Sequence, residues 1–137
     1  MGQIIDMQFM RYINLFEKIA GVSTKNCFVY NNIVTFAVPK MMVSKAVGNN
    51  GVNVKKIGEI LRKRIRVIQE PGESIQAFVK DVVDPVGFNK IDVSDGMVTI
   101  NAGKQSKAAL IGRNRMRQKE LENILQKFFP IKKLRIT

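Results

Sequence analysis

The chain has 137 residues, 45% of them apolar and 25% charged, the balance of a soluble globular protein with room for one ordinary domain or two very small ones. Its 23 Lys and Arg outweigh 11 Asp and Glu to leave a net charge of +12, which makes nucleic acid, ahead of an anionic membrane, the expected partner. The absence of histidine excludes Ser-His and Cys-His catalysis and most zinc sites, and the lone cysteine excludes an intrachain disulfide.

The basic excess is not held in a tail. Residues 1–72 carry 11 basic and 4 acidic side chains, and residues 73–137 carry 12 and 7, so each half is cationic. The N-terminus lacks a basic-then-apolar signal segment, and no apolar run approaches the length of a membrane span. A cytoplasmic protein with no membrane, metal or cofactor partner and no small-molecule substrate is expected.

In chain order, Phe9, Tyr12, Ile13, Phe16, Ile19 and Ala20 recur at helical spacing, and Gly21 supplies a stop. Cys27–Tyr30 and Ile33–Val38 read as strands joined across Asn31-Asn32, residues that tolerate the left-handed backbone of a tight hairpin. Cys27 is expected as a buried hydrophobe. A short helix over Val43–Val47 leads into Gly48-Asn49-Asn50-Gly51, and a longer one follows with Val54, Ile57, Ile60 and Leu61 on one face. Ile65–Ile68 closes the series as a strand, and Pro71-Gly72 interrupts the chain.

A shift of 64 residues then replays the same pattern. Ile33-Val34-Thr35-Phe36 falls on Met97-Val98-Thr99-Ile100, Lys40 on Lys104, Val47-Gly48 on Ile111-Gly112, and Asn50 on Asn114. Ile57, Ile60 and Leu61 fall on Leu121, Ile124 and Leu125, all six expected in the core. The second copy is predicted to start a helix near Ser74 that halts before Pro85, and to turn a hairpin at Asp95-Gly96. A long helix from about Asn114 to Phe128 and a strand over Ile131–Ile136 complete it. Phe128-Phe129 is expected to pack the end of that helix. The fold class is α/β of the α+β kind, two α-β-β-α-α-β units at 1–72 and 73–137 packed together.

Gly48-Asn49-Asn50-Gly51 carries the sharpest chemistry. Glycine permits positive φ and close approach of a ligand backbone. The amides that open the following helix lack intrahelical partners and carry partial positive charge, so the loop is a seat for phosphate. Lys45 before it and Asn53, Lys55 and Lys56 after it suit that task. The second loop reads Gly112-Arg113-Asn114-Arg115. Its last glycine has become arginine, a side chain expected to resist positive φ. Two readings stay open there. Arg113, Arg115 and Arg117, with Lys104 and Lys107 upstream, replace lost amide contacts by holding phosphate; or the second unit is a degenerate packing partner.

Val47-Gly48-Asn49-Asn50-Gly51-Val52-Asn53-Val54-Lys55-Lys56 resembles the KH signature, and the element order is that of the type II, prokaryotic KH fold. The tandem arrangement and the opening Met10-Arg11-Tyr12-Ile13-Asn14-Leu15-Phe16-Glu17-Lys18-Ile19 are similar to the short archaeal form of the transcription factor NusA. The resemblance covers nearly the whole chain. It implies binding of single-stranded RNA in transcription elongation, termination or antitermination, with RNA polymerase as a further partner, and grooves lined by aliphatic residues, for which Val47, Val54 and Ile111 are the candidates. A ribosomal or RNA-processing factor, and a protein-interaction module on polymerase, are the rival readings.

Enzymatic function is not expected. Asp81 and Asp84 precede Pro85, and Glu120 and Glu122 lie two apart, where helical residues do not face each other. Neither pair has a histidine or a second cluster beside it. Arg62-Lys63-Arg64 and Arg66 read first as a solvated helix end, with cations favourably placed at a C-terminus, and second as a contact for a polyanion.

Overall fold

A computed structural model describes residues 7–137, a mixed α and β chain that divides into two units, Met1–Glu70 and Pro71–Thr137. Each unit is built on its own three-stranded sheet.

In the first unit, helix α1 (Met7–Ala20) buries Tyr12, Phe16 and Ala20, one residue per turn on a single stripe. Gly21, at φ 70°, ends it by donating its amide to Glu17 O at 3.0 Å. Strands β1 (Asn26–Tyr30) and β2 (Ile33–Val38) pair antiparallel around Asn31 and Asn32, whose φ values of 53° and 63° are those of a hairpin turn matched to strand twist. Helices α2 (Val43–Val47) and α3 (Val52–Leu61) then carry the chain over to strand β3 (Arg64–Gln69), parallel to β2.

Strand β2 is therefore central, and all six of its residues are buried. Its Phe36 ring stacks on Phe16 of α1 with centroids 4.3 Å apart, at the middle of a core that includes Tyr12, Cys27, Val34, Ala46 and Ile57. Thr24 ties the end of α1 to the sheet. Its hydroxyl donates to Ala37 O at 2.5 Å, and its amide donates to the Glu17 carboxylate at 3.0 Å.

The second unit repeats the plan. Helix α4 (Ile75–Val83) is capped by Ser74, whose hydroxyl accepts the Ala77 amide at 3.1 Å, and it stops before Pro85. Strands β4 (Lys90–Ser94) and β5 (Met97–Asn101) turn at Asp95-Gly96, helices α5 (Lys104–Ile111) and α6 (Met116–Phe128) follow, and strand β6 (Lys133–Ile136) lies parallel to β5. Phe128 and Phe129 pack on Phe78 of α4, with centroids 5.2 and 5.8 Å away.

Three expectations need correcting. The long second helix begins at Met116 rather than Asn114, because residues 113–115 form a single 3-10 turn with Asn114 left-handed at φ 55°. The last strand starts at Lys133 rather than Ile131, since Ile131 N turns back to Phe129 O and Lys132 N is drawn to Gly96 O at 2.7 Å. Ile60 is not core. It is 54% exposed, whereas its counterpart Ile124 is 4% exposed.

Candidate nucleic-acid interface

Helix α2 ends where Gly48 takes φ 83°, ψ 169°, a region of backbone space that side chains cannot enter without strain. A Cβ at Gly48 would also lie 2.9 Å from both Val52 Cγ1 and Asn53 Nδ2. Asn49–Gly51 then make one 3-10 turn, with Asn50 at φ 56° and Gly51 at φ 74°, ψ 21°. The loop's backbone hydrogen bonds run from Gly48 N to Ser44 O, from Gly51 N to Gly48 O, and from Val52 N to Asn49 O. The amides of Asn49 and Asn50 are not among the donors, and both residues are exposed. Two N–H groups with partial positive charge thus stand at the loop tip beside the start of a ten-residue helix.

Lys45, Lys55 and Lys56, which flank the loop in sequence, are exposed, while Val47 and Val54 are half-buried. Asn53 also braces the loop. Its side-chain amide donates to Lys45 O at 3.2 Å, fastening the start of α3 to the end of α2 and so holding the loop's shape.

The second loop has nearly the same backbone. Gly112 lies at φ 73°, ψ 174°, Asn114 at φ 55°, ψ 29°, and Arg115 at φ 61°, ψ 23°. Gly112 N donates to Ala108 O at 2.9 Å and Arg115 N to Gly112 O at 3.2 Å, the same pattern as in the first loop. Arginine therefore adopts the left-handed state that its side chain disfavours, and the corner is preserved. The first glycine cannot be exchanged so cheaply, because a Cβ on Gly112 would meet Arg117 N at 2.9 Å.

Arg113 and Arg115 are exposed, as are Lys104, Lys107 and Asn114. Arg117 is half-buried, and its guanidinium donates to the Glu120 carboxylate at 2.6 Å in a partly buried ion pair. A groove of about 560 Å³ lies between α5, the loop and β6. Lys107, Arg115, Lys133 and Arg135 give it four cations, and Ile111 and Leu134 give it apolar lining with no carboxylate.

Lys133 and Arg135 were not among the residues singled out from sequence. The sheet registers show why they matter: Met97 pairs with Lys133 and Thr99 with Arg135, just as Ile33 pairs with Arg64 and Thr35 with Arg66. Both edge strands thus carry cations at the same two places. The edges differ in one respect. In the second unit Gln118 donates to Leu134 O at 3.1 Å and Glu122 accepts from Leu134 N at 2.8 Å, closing the outward backbone groups of Leu134. Their counterparts at the 64-residue shift are Val54 and Gly58, which offer no polar side chain.

Among the described residues no three His, Cys, Asp or Glu side chains group to hold a metal, and no helix is long and apolar enough to cross a membrane. Cys27 is buried.

No family model matches the chain. Over 108 residues it is 29% identical to the probable transcription termination protein NusA of Halococcus morrhuae, 77% of either chain. The protein of that name from Methanocaldococcus jannaschii is 26% identical over 128 residues, covering 90% of this chain and 69% of its own. A solved structure titled "Crystal structure of APE1850" superposes with a TM-score of 0.68 at 28% identity, over 97% of this chain and 100% of that one. Over most of its length the chain resembles archaeal proteins named for NusA and transcription termination.

Proposed function

We propose that the chain is a pair of type II KH domains, at 1–72 and 73–137, that binds single-stranded RNA in the cytoplasm during transcription elongation, termination or antitermination and performs no catalysis itself. The observation that carries this reading is the doubled helix-loop-helix. Each copy turns through the same left-handed corner, presents loop-tip amides, and has lysines or arginines on its flanks. Backbone amides recognise phosphate without regard to base, and a KH loop of this kind clamps about four nucleotides. RNA and RNA polymerase as partners follow from the likeness to the NusA proteins.

The two units divide the work. The first grips phosphate through loop amides, beside an edge strand that carries Arg64 and Arg66. The second grips phosphate through Arg113, Arg115 and the groove cations, with its edge closed at Leu134 by Gln118 and Glu122. Two such sites on one chain raise avidity, because the second contact is intramolecular.

The test is fluorescence anisotropy with labelled single-stranded RNA, competed by duplex RNA. Gly51→Asp places a carboxylate at the phosphate seat, in a position where a Cβ meets nothing within 4 Å. Affinity should fall by about tenfold, one lost charge-assisted contact, with circular dichroism unchanged. Affinity that stays the same removes the loop from the mechanism. Duplex RNA that competes as well as single strands favours a factor acting on structured RNA.

A further inference from the structure

Independently of the loops, the first unit has a concavity of about 620 Å³ along α1 and the end of α3. Leu15, Ile60 and Leu61 line it, and Arg11, Lys18 and Lys63 supply its charge. No carboxylate lines it. Glu17 of α1 is occupied elsewhere, accepting the Thr24 amide. Ile60 is the residue that burial in the second unit's pattern would have hidden, yet it stands 54% exposed here. A half-exposed isoleucine inside a cationic rim is the signature of a surface that awaits an apolar group with acidic neighbours.

We infer that this groove docks an acidic amphipathic helix of a partner protein, with leucine-like side chains on Ile60, Leu61 and Leu15 and carboxylates on Arg11, Lys18 and Lys63. Three observations select that occupant. A second copy of this chain would bring its own +12 charge, and a twofold contact would set the three cations against their own images. RNA would find no aromatic platform, because Tyr12 is only 7% exposed and its hydroxyl is engaged by Gln8 at 2.6 Å. Aliphatic lining with a one-sign rim instead rewards a helix whose apolar and acidic residues alternate at helical spacing.

The probe is a labelled 18-residue synthetic helix with leucine on one face and glutamate on the other, beside a lysine-for-glutamate control, both titrated with the full chain. The acidic peptide should bind and the basic one should not. Ile60→Gln and Lys63→Glu should each weaken binding by about tenfold, the effect of losing one anchoring side chain, while Gly51→Asp leaves it unchanged. Both substitutions fall on exposed side chains, and circular dichroism verifies that each variant folds. Equal binding of the two peptides, or an acidic-peptide affinity indifferent to both variants, overturns the inference. So does a loss of RNA affinity in Ile60→Gln, which would give the face to RNA, or a dimer in sedimentation that Ile60→Gln dissolves. Failure of RNA binding in Gly51→Asp bears on the loops alone and leaves this result standing.

Discussion

Replacing Arg115 by glycine should make the protein more stable and its RNA complex weaker. Arg115 sits at φ 61°, ψ 23°, within a few degrees of the ψ 21° that Gly51 adopts at φ 74° in the first loop. An L-residue held there loses about 1–2 kcal/mol to the contact between its Cβ and the following carbonyl. Glycine removes that strain but adds about 0.5–1 kcal/mol of unfolded-chain entropy, so at the middle of both ranges the net gain is about 0.75 kcal/mol. The side chain is exposed, so little packing is lost, and removing one of four groove cations acts in the same direction. With a urea slope of about 1 kcal/mol/M for so small a unit, the midpoint rises by about 0.75 M.

The two tyrosines, Tyr12 and Tyr30, both lie in the first unit, so tyrosine fluorescence follows that unit while far-ultraviolet dichroism follows both. Arg115→Gly should shift the dichroism midpoint upward and leave the tyrosine signal in place. The mirror substitution, Gly51→Arg, meets open space around its Cβ and bears only the backbone strain, so it should lower the tyrosine midpoint by a similar amount. A destabilised Arg115→Gly, or a neutral Gly51→Arg, refutes the strain argument. Arg115→Gly that gains both stability and RNA affinity refutes the functional half, because the arginine would then be a burden with no compensating contact.

Two further outcomes follow from the same geometry. Gly48→Ala forces a Cβ to within 2.9 Å of Val52 Cγ1 in a glycine-only backbone region, and should cost about 2–4 kcal/mol in urea unfolding. Gly51→Ala, with no such contact, should cost about 1 kcal/mol, and equal costs would refute the packing assigned to Gly48. In RNA titrations at varied salt, Lys45→Ala should reduce the slope of log K against log salt by about 0.7, the share of one single-strand phosphate. Arg117→Ala should leave the slope nearly unchanged, since Glu120 already holds that guanidinium at 2.6 Å; a full decrement there would place Arg117 on the RNA.

Much of the fold was legible because apolar periodicity and turn chemistry agreed with each other. Asn31-Asn32 and Asp95-Gly96 are hairpin turns, and Ser74 is a helix cap, each for a local reason that needs no tertiary context. The misplaced residues share a different origin. The gapless 64-residue shift holds from β2 to the middle of the second long helix and then fails. Helix α6 runs 13 residues where α3 runs 10, and residues 129–132 connect α6 to β6 where residues 62–63 suffice before β3. The cations of the two edge strands are therefore out of step in sequence, and only strand pairing realigns Arg64 with Lys133 and Arg66 with Arg135. Ile60 was misread for a related reason. Its apolar type fits the helical stripe, but burial also depends on what packs across that stripe, which spacing alone does not report.

The paired loops also separate what the four-residue motif demands from what it tolerates. At its first position both units keep glycine, and both glycines have a backbone that excludes a side chain and a neighbour within 2.9 Å of any Cβ. At its fourth position one unit has glycine and the other arginine, yet φ and ψ barely differ. The corner is thus set by the helices on either side of it and by the first glycine, while the fourth residue only has to bear a left-handed backbone. A residue freed from that geometric duty is available for chemistry. Placing a guanidinium there puts a permanent cation at the rim of a groove that already holds Lys107, Lys133 and Arg135, without moving the amides behind it. On the proposed reading, one backbone frame supports two modes of phosphate contact, through amides in the first unit and through side chains in the second.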